Sequence, residues 1–142
     1  MYTIDASVWV NSFDQREPGH AVSRQVLTTL STQAIPIIVP NLVLVEVAGA
    51  ISRMRANSMQ AQAFAIALSN LPNVKLIALD SSMIQEALLF AAQHALCGAD
   101  AVYAAVAAQA GCTLVTLDNE QLNRLSSVIS AQTPSALLST LA

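Results

Sequence analysis

Four of the nine acids in this 142-residue chain stand where an apolar sequence has little use for a charge. Asp5 ends the short β-prone run Tyr2-Thr3-Ile4, and Asp118 ends "CTLVTL" in the same way. Asp100 stands at the start of the helical segment "ADAVYAAVAAQAG". Glu46 lies inside "NLVLVEVAGAI", between Val45 and Val47, with no basic residue within a helical turn. Any one Asp at a helix start reads first as an N-cap, because its carboxylate accepts from free backbone N–H groups and suits the helix dipole. Asn41, Ser58 and Ser81 open other helices and would cap them without a charge. Glu46 has no such role. An unpaired buried carboxylate costs several kcal/mol or is forced to protonate. It therefore needs a partner, or a rim position with its head in water.

Clustered without a cation, four carboxylates would repel one another and their pKa values would rise. A divalent ion reverses that logic. Mg²⁺ and Mn²⁺ are hard, prefer oxygen ligands, keep several waters and bind through a few carboxylates. Acids with no companion His or Cys point to Mg²⁺ or Mn²⁺ over Zn²⁺. Such a site polarises a phosphoryl oxygen and generates a hydroxide for attack. The charge balance fits that chemistry once the site is set apart. The chain carries −3 overall, which by itself argues against a nucleic-acid binder. Without the four candidate ligands, five acids remain against six bases.

The elements that must position these acids alternate. "MYTI", "IPIIVP", "VKLIAL" and "CTLVTL" read as short buried strands, and "VIS" as a last one before "TPSALLSTL". Between them, helical apolar spacing runs from about Ser7, through "AVSRQVLTTLST", the pair "NLVLVEVAGAISRMR" and "MQAQAFAIALSNL", and "SSMIQEALLFAAQHAL", "ADAVYAAVAAQAG" and "NEQLNRLS". Cys97-Gly98 marks a helix C-cap. The alternation predicts one α/β domain over residues 1–142, with a parallel sheet covered on both faces. Ligands of such sheets sit beyond the carboxyl ends of the strands, where the strand order switches. If the strands before Asp5 and Asp118 are neighbours, both carboxylates emerge at one rim.

At 54% hydrophobic and 11% charged residues, the chain is neither disordered nor fibrous. No run reaches the ~18 apolar residues of a membrane span. No basic leader with an apolar stretch precedes the first strand, so a cytoplasmic location is expected. Cys97 and Cys112 have no metal-ligand spacing and read as buried thiols.

Taken together, "MYTIDASVWV", Glu46 after "VPNLVLV", and "GADAVYAAVAAQAGCTLVTLDNEQL" resemble the PIN-domain ribonucleases. The likeness is greatest to the small VapC-type toxins of toxin–antitoxin pairs, and it covers nearly the whole chain. It implies a three-layer PIN-like α/β fold, with a short central parallel sheet flanked by helices. It also implies that Asp5, Glu46, Asp100 and Asp118 hold one or two divalent ions. Ser7 and Thr116 match the family's hydroxyl residues, which would orient the ligands or a water. The implied reaction is hydrolysis of single-stranded or looped RNA, leaving a 5′-phosphate and a 3′-hydroxyl. Implied partners are a second copy of the chain and an antitoxin that blocks the cleft.

Arg16, Arg24, Arg53, Arg55 and Arg124 are candidate phosphate contacts, with Arg53 and Arg55 first because they follow Glu46 on one predicted helix. His20 and His94 lack ligand spacing. Trp9, Phe13 and Phe64 read as core or interface, and Asp14, Glu17, Asp80 and Glu86 as solvent-facing. Two kinds of phosphoaspartate protein, a haloacid-dehalogenase-type enzyme and a response-regulator receiver, fail on the residues. A haloacid-dehalogenase-type site needs D-x-D after the first strand, where this chain has Asp5-Ala6-Ser7. A receiver needs a lysine after a late strand, but the single lysine, Lys75, begins one. An inactive PIN-like binding module and a DNA-directed nuclease remain as alternatives.

Overall fold

The computed structural model describes residues 1–141. The sheet is built from β1 (Tyr2–Ile4), β2 (Ile37–Pro40), β3 (Val74–Ile77), β4 (Thr113–Val115) and β5 (Ala131–Gln132). All pairings are parallel, in the order β3-β2-β1-β4-β5. The order reverses at β1, whose neighbours are β2 on one side and β4 on the other. β1 pairs with β4 as Tyr2–Thr113, Thr3–Leu114 and Ile4–Val115. The two strands that lead into Asp5 and Asp118 are therefore adjacent and in register.

Helices cover both faces. Successive strand residues point to opposite sides of a sheet, and Thr3 and Ile4, like Leu114 and Val115, are fully buried. The connecting helices are α1 (Ala6–Phe13), α2 (His20–Thr32), α3 (Leu42–Arg55), α4 (Ser58–Ser69), α5 (Ser81–His94), α6 (Gly98–Ala110), α7 (Asn119–Leu125) and α8 (Pro134–Leu141). Helix α6 packs on β1, β2 and β4, and α5 packs against α6. Its alanine-rich sequence suits that place, since Ala101, Ala104, Ala105 and Ala107 are all fully buried and let the helix lie close to the sheet. On the other flank α1 touches both α2 and α3, α3 pairs with α4, and α8 closes on α2.

Several expectations need correction. The last strand is Ala131–Gln132, not "VIS"; a two-residue edge strand carries too little pattern to be read in advance. Asp100 is not a helix cap: α6 begins at Gly98 with Cys97 as N-cap, so Asp100 lies in its first turn. Cys97 therefore belongs to the start of α6, whereas α5 ends at Ala95 in the left-handed region (φ 52°). Cys97 is exposed, and only Cys112 is buried. Asn57 and Asp80, not Ser58 and Ser81, cap α4 and α5 with their side chains. No single helix is long and apolar enough to cross a membrane; α5 and α6 reach that length only as a pair bent by 114°.

Candidate active site

Asp5 leaves β1 and caps α1. Its backbone N–H donates to Val115 O at 2.9 Å, which extends the β1–β4 ladder, and its Oδ2 accepts from Ser7 N at 3.1 Å. Thr116 Oγ1, at the end of β4, donates to the same oxygen at 3.2 Å and accepts from Asp118 N at 3.0 Å. Asp118 then caps α7, its Oδ1 accepting from Glu120 N at 2.7 Å and Gln121 N at 3.4 Å. Ser7 Oγ accepts from Leu117 N at 3.2 Å, so the first turn of α1 is tied to the β4–α7 connection. One strand pair thus fixes two carboxylates. Both are caps, and the capping bonds leave neither fully used.

Glu46 approaches from α3 and Asp100 from α6. Tyr103 Oη donates to Glu46 Oε2 at 2.6 Å, and Gln121 Nε2 donates to Asp100 Oδ1 at 2.8 Å. Neither Tyr103 nor Gln121 was singled out in the sequence. Tyr103 has the i+3 spacing from Asp100 that places both on one side of α6, but nothing local shows that its partner lies on α3. Gln121, three residues after Asp118, reads as a capping-box residue, and its bond to Asp100 is long-range.

The electrostatics bind the four acids into one region. Glu46 is pushed above the usual carboxylate range by burial and then by the charges of Asp5 and Asp100, while the Tyr103 hydrogen bond pulls the other way. Asp100 is pushed up chiefly by burial, with Asp5 and Asp118 adding to it; the Cys97 thiol and Gln121 oppose. Burial, followed by the neighbouring Glu46, raises Tyr103 far above its normal value, so it remains a proton donor. The three ion pairs among the described residues all lie elsewhere. Asp5 thus neighbours Glu46 and Asp100, and Asp118 neighbours Asp100, and among the described residues none of the four has an ion-pair partner. They form no closed cage, since among the described residues no three acidic, histidine or cysteine side chains converge tightly enough to hold an ion. The donors are all oxygen, the type that hard cations take, in a spacing that is not that of a formed ion site.

Beside Glu46 a groove of about 610 Å³ opens between α1 and α3, with Ser7, Glu46, Gly49, Arg53 and Leu117 among its walls. Seven residues on from Glu46 brings Arg53 back to the same helix face, at 3.6 residues per turn. Arg55 is turned to the far side. It donates to Asp14 Oδ1 at 3.1 Å and its guanidinium lies 5.6 Å from the Phe13 ring centroid. Arg16 grips Asp14 as well, and Arg124 pairs with Glu120 at 2.6 Å. Asp14, expected at the surface, is thus almost fully buried. Of the candidate phosphate contacts, Arg53 is the one in the groove with Glu46. Arg24 lines a separate hollow with Trp9 and Phe64. Trp9 is core, and Phe13 and Phe64 meet edge to face at 5.1 Å.

An α/β domain with acids gathered at the carboxyl edge of a parallel sheet, at its topological switch, is a recognisable class. The sequence profile of the PIN domain matches residues 2–127, and the chain belongs to the PIN-domain family. No curated protein matches its sequence. Among solved structures, VapC20 of Mycobacterium tuberculosis, a toxin that cleaves the sarcin–ricin loop, superposes with a TM-score of 0.75. It is 15% identical, over 91% of this chain and 96% of its own. VapBC2 of Rickettsia felis, solved bound to a DNA fragment from its promoter, gives 0.66 at 18% identity over 93% and 97%. A toxin–antitoxin complex from Klebsiella pneumoniae gives 0.68 at 16% over 94% and 98%. At these identities the likeness is one of fold.

Proposed function

We propose that this protein is a divalent-metal-dependent endoribonuclease and the toxin of a toxin–antitoxin pair, acting in the cytoplasm. The observation that carries the reading is the carboxylate group itself: Asp5, Glu46, Asp100 and Asp118 crowd one edge of the sheet with no cation of the protein's own to balance them. Mg²⁺ or Mn²⁺ would supply Lewis acidity at the scissile phosphate and a water nucleophile at neutral pH. The four acids would hold the ion. Thr116 and Ser7 fix the orientation of Asp5 and of the connection that carries Asp118. Arg53 neutralises a backbone phosphate in the groove, and single-stranded or looped RNA has the flexibility to enter there. Arg55, already committed to Asp14 and Phe13, is left out of that role.

Membership in the PIN-domain family supports nuclease chemistry, and the toxin–antitoxin complexes that share the fold support an antitoxin partner. Exposed apolar side chains on α5, Ile84, Leu88 and Leu89, support a homodimer or antitoxin contact that covers them. The test is incubation of the purified, partner-free protein with end-labelled single-stranded RNA, with and without Mg²⁺ or Mn²⁺. An Asp100→Asn variant prepared in parallel controls for contaminating nuclease. Metal-dependent cleavage absent in the variant is the expected result. Equal activity in both would sink the site assignment, and no cleavage or metal binding in either would favour an inactive binding module.

A further inference from the structure

The hydrogen bonds on Glu46 and Asp100 cross between elements. Tyr103 stands on α6, the helix that carries Asp100, yet its hydroxyl serves Glu46 on α3. Gln121 stands on α7, the helix that Asp118 caps, yet its amide serves Asp100 on α6. Each donor thus sits on an element that presents one acid and grips another. In Asp5, Glu46 and Asp118 these bonds fall on a single oxygen, Oδ2, Oε2 and Oδ1 respectively, and in Asp100 the Gln121 bond falls on Oδ1, with the Cys97 thiol as a further neighbour.

Gln121 makes little sense as a core residue. It is 1% exposed, and its Oε1 is buried with no partner among the described residues. A buried acceptor left unmade is unfavourable, and an apolar residue of similar shape would avoid that loss. The one thing its amide supplies here beyond packing is the N–H to Asp100. Tyr103 is fully buried too; Phe would match its ring and lose only what the hydroxyl does, the bond to Glu46 and an approach to the backbone N–H of Ala6. Both donors are neutral. A Lys or Arg in either place would compensate the carboxylate and compete with a bound cation, whereas a hydroxyl or amide fixes the geometry and leaves the negative charge in place.

We propose that Tyr103 and Gln121 are positioning residues: each pins one oxygen of Glu46 or Asp100 with a neutral donor, so that the other oxygen is presented to a divalent cation. The inference rests on the metal reading above. Its test is Mn²⁺ titration followed by the electron paramagnetic resonance of free Mn²⁺, on wild type, Tyr103→Phe and Gln121→Met. Melting temperatures and RNA affinity in EDTA are measured alongside. Loss of such orienting partners typically weakens metal affinity by roughly 10–100-fold. That loss is expected in both variants, with metal-free RNA affinity unchanged. Gln121→Met should melt at or above the wild-type temperature, which a purely structural role for the amide would not allow. Mn²⁺ affinity within twofold of wild type in folded Tyr103→Phe and Gln121→Met would overturn the inference and leave the metal reading standing. Absence of Mn²⁺ binding by wild type itself would overturn both. Gln121→Met carries the test alone if Tyr103→Phe does not fold.

Discussion

A single buried carboxylate and a group of four partly or fully buried ones sit at opposite ends of α1, and the protein treats them in opposite ways. At the C-terminal end, Asp14 is clasped by Arg16 through Nε and Nη2, at 3.1 and 3.0 Å, and by Arg55 at 3.1 Å. The Arg16 hydrogen bonds foremost, aided by the charge of Arg55, hold its carboxyl at about 2. At the N-terminal end Asp5 and its three companions receive hydroxyls, amides and backbone N–H groups and no guanidinium. Glu46 and Asp100 are pushed up by burial and mutual repulsion. The chain has arginines and uses two of them on a single aspartate. Their absence from the four-acid group is what separates a structural knot from a site left for something else to complete.

The comparison breaks most visibly at Asp100. Asp100→Asn should lower the metal-dependent cleavage rate on the order of 10³-fold, the several kcal/mol expected of a lost ligand in metal-ion catalysis. Single-turnover cleavage of labelled RNA measures it. The same substitution should stabilise the metal-free protein at pH 7. A carboxyl whose folded pKa lies above its unfolded value is a burden while ionised, and stability recovers as pH falls toward that pKa. Thermal melts in EDTA should show the variant higher by a few degrees. Added Mn²⁺ should raise the wild-type curve more than the variant's. A variant that melts below wild type in EDTA would contradict the strain ascribed to the four-acid group.

At the other end of α1 the sign reverses. Asp14 has a depressed folded pKa, so its contribution is fully present above the unfolded value of 3.8 and is lost as pH falls through about 2. Asp14→Asn should lower the melting temperature at pH 7, flatten that part of the acid limb, and leave the metal dependence of cleavage intact. Urea unfolding at a series of pH values separates the two behaviours. The smallest expected effect is at Gly49, in the groove between Glu46 and Arg53. A Cβ there would lie 3.3 Å from Arg53 Nη1, a flexible group that can shift. Gly49→Ala should add about 0.5–1 kcal/mol of helix stability and raise KM a few-fold with kcat little changed, the pattern of lost uniform binding.

The four acids stand out in the sequence because their neighbours are so apolar, and the alternating pattern puts Asp5 and Asp118 at strand ends, where the structure also has them. Their adjacency depended on strand order, which local pattern does not encode. Asp100 reads as a cap because a helix start read from sequence is uncertain by about two to four residues, and Cys97, the residue at the cap, makes no side-chain capping bond. Asp14 was misread for a different reason: one of its two cations, Arg55, is 41 residues away. The division between Arg53 and Arg55, by contrast, was available from helical phase alone, since two residues turn a side chain through about 200°. Tyr103 and Gln121 escaped because each looks ordinary beside its own helix and acquires meaning only across the sheet edge.

The β1–β4 pairing also sets a time at which activity can begin. Thr116 and Asp5 touch although 111 residues separate them. At roughly 5–20 residues per second of synthesis, Asp5 leaves the peptidyl-transferase centre about 5–20 s before its partner strand exists. A nascent chain that has not reached Asp100 lacks two of the four candidate ligands and the strand that would align them. On the proposed function, the protein cannot act on the message still being translated until synthesis has passed β4 and Asp118.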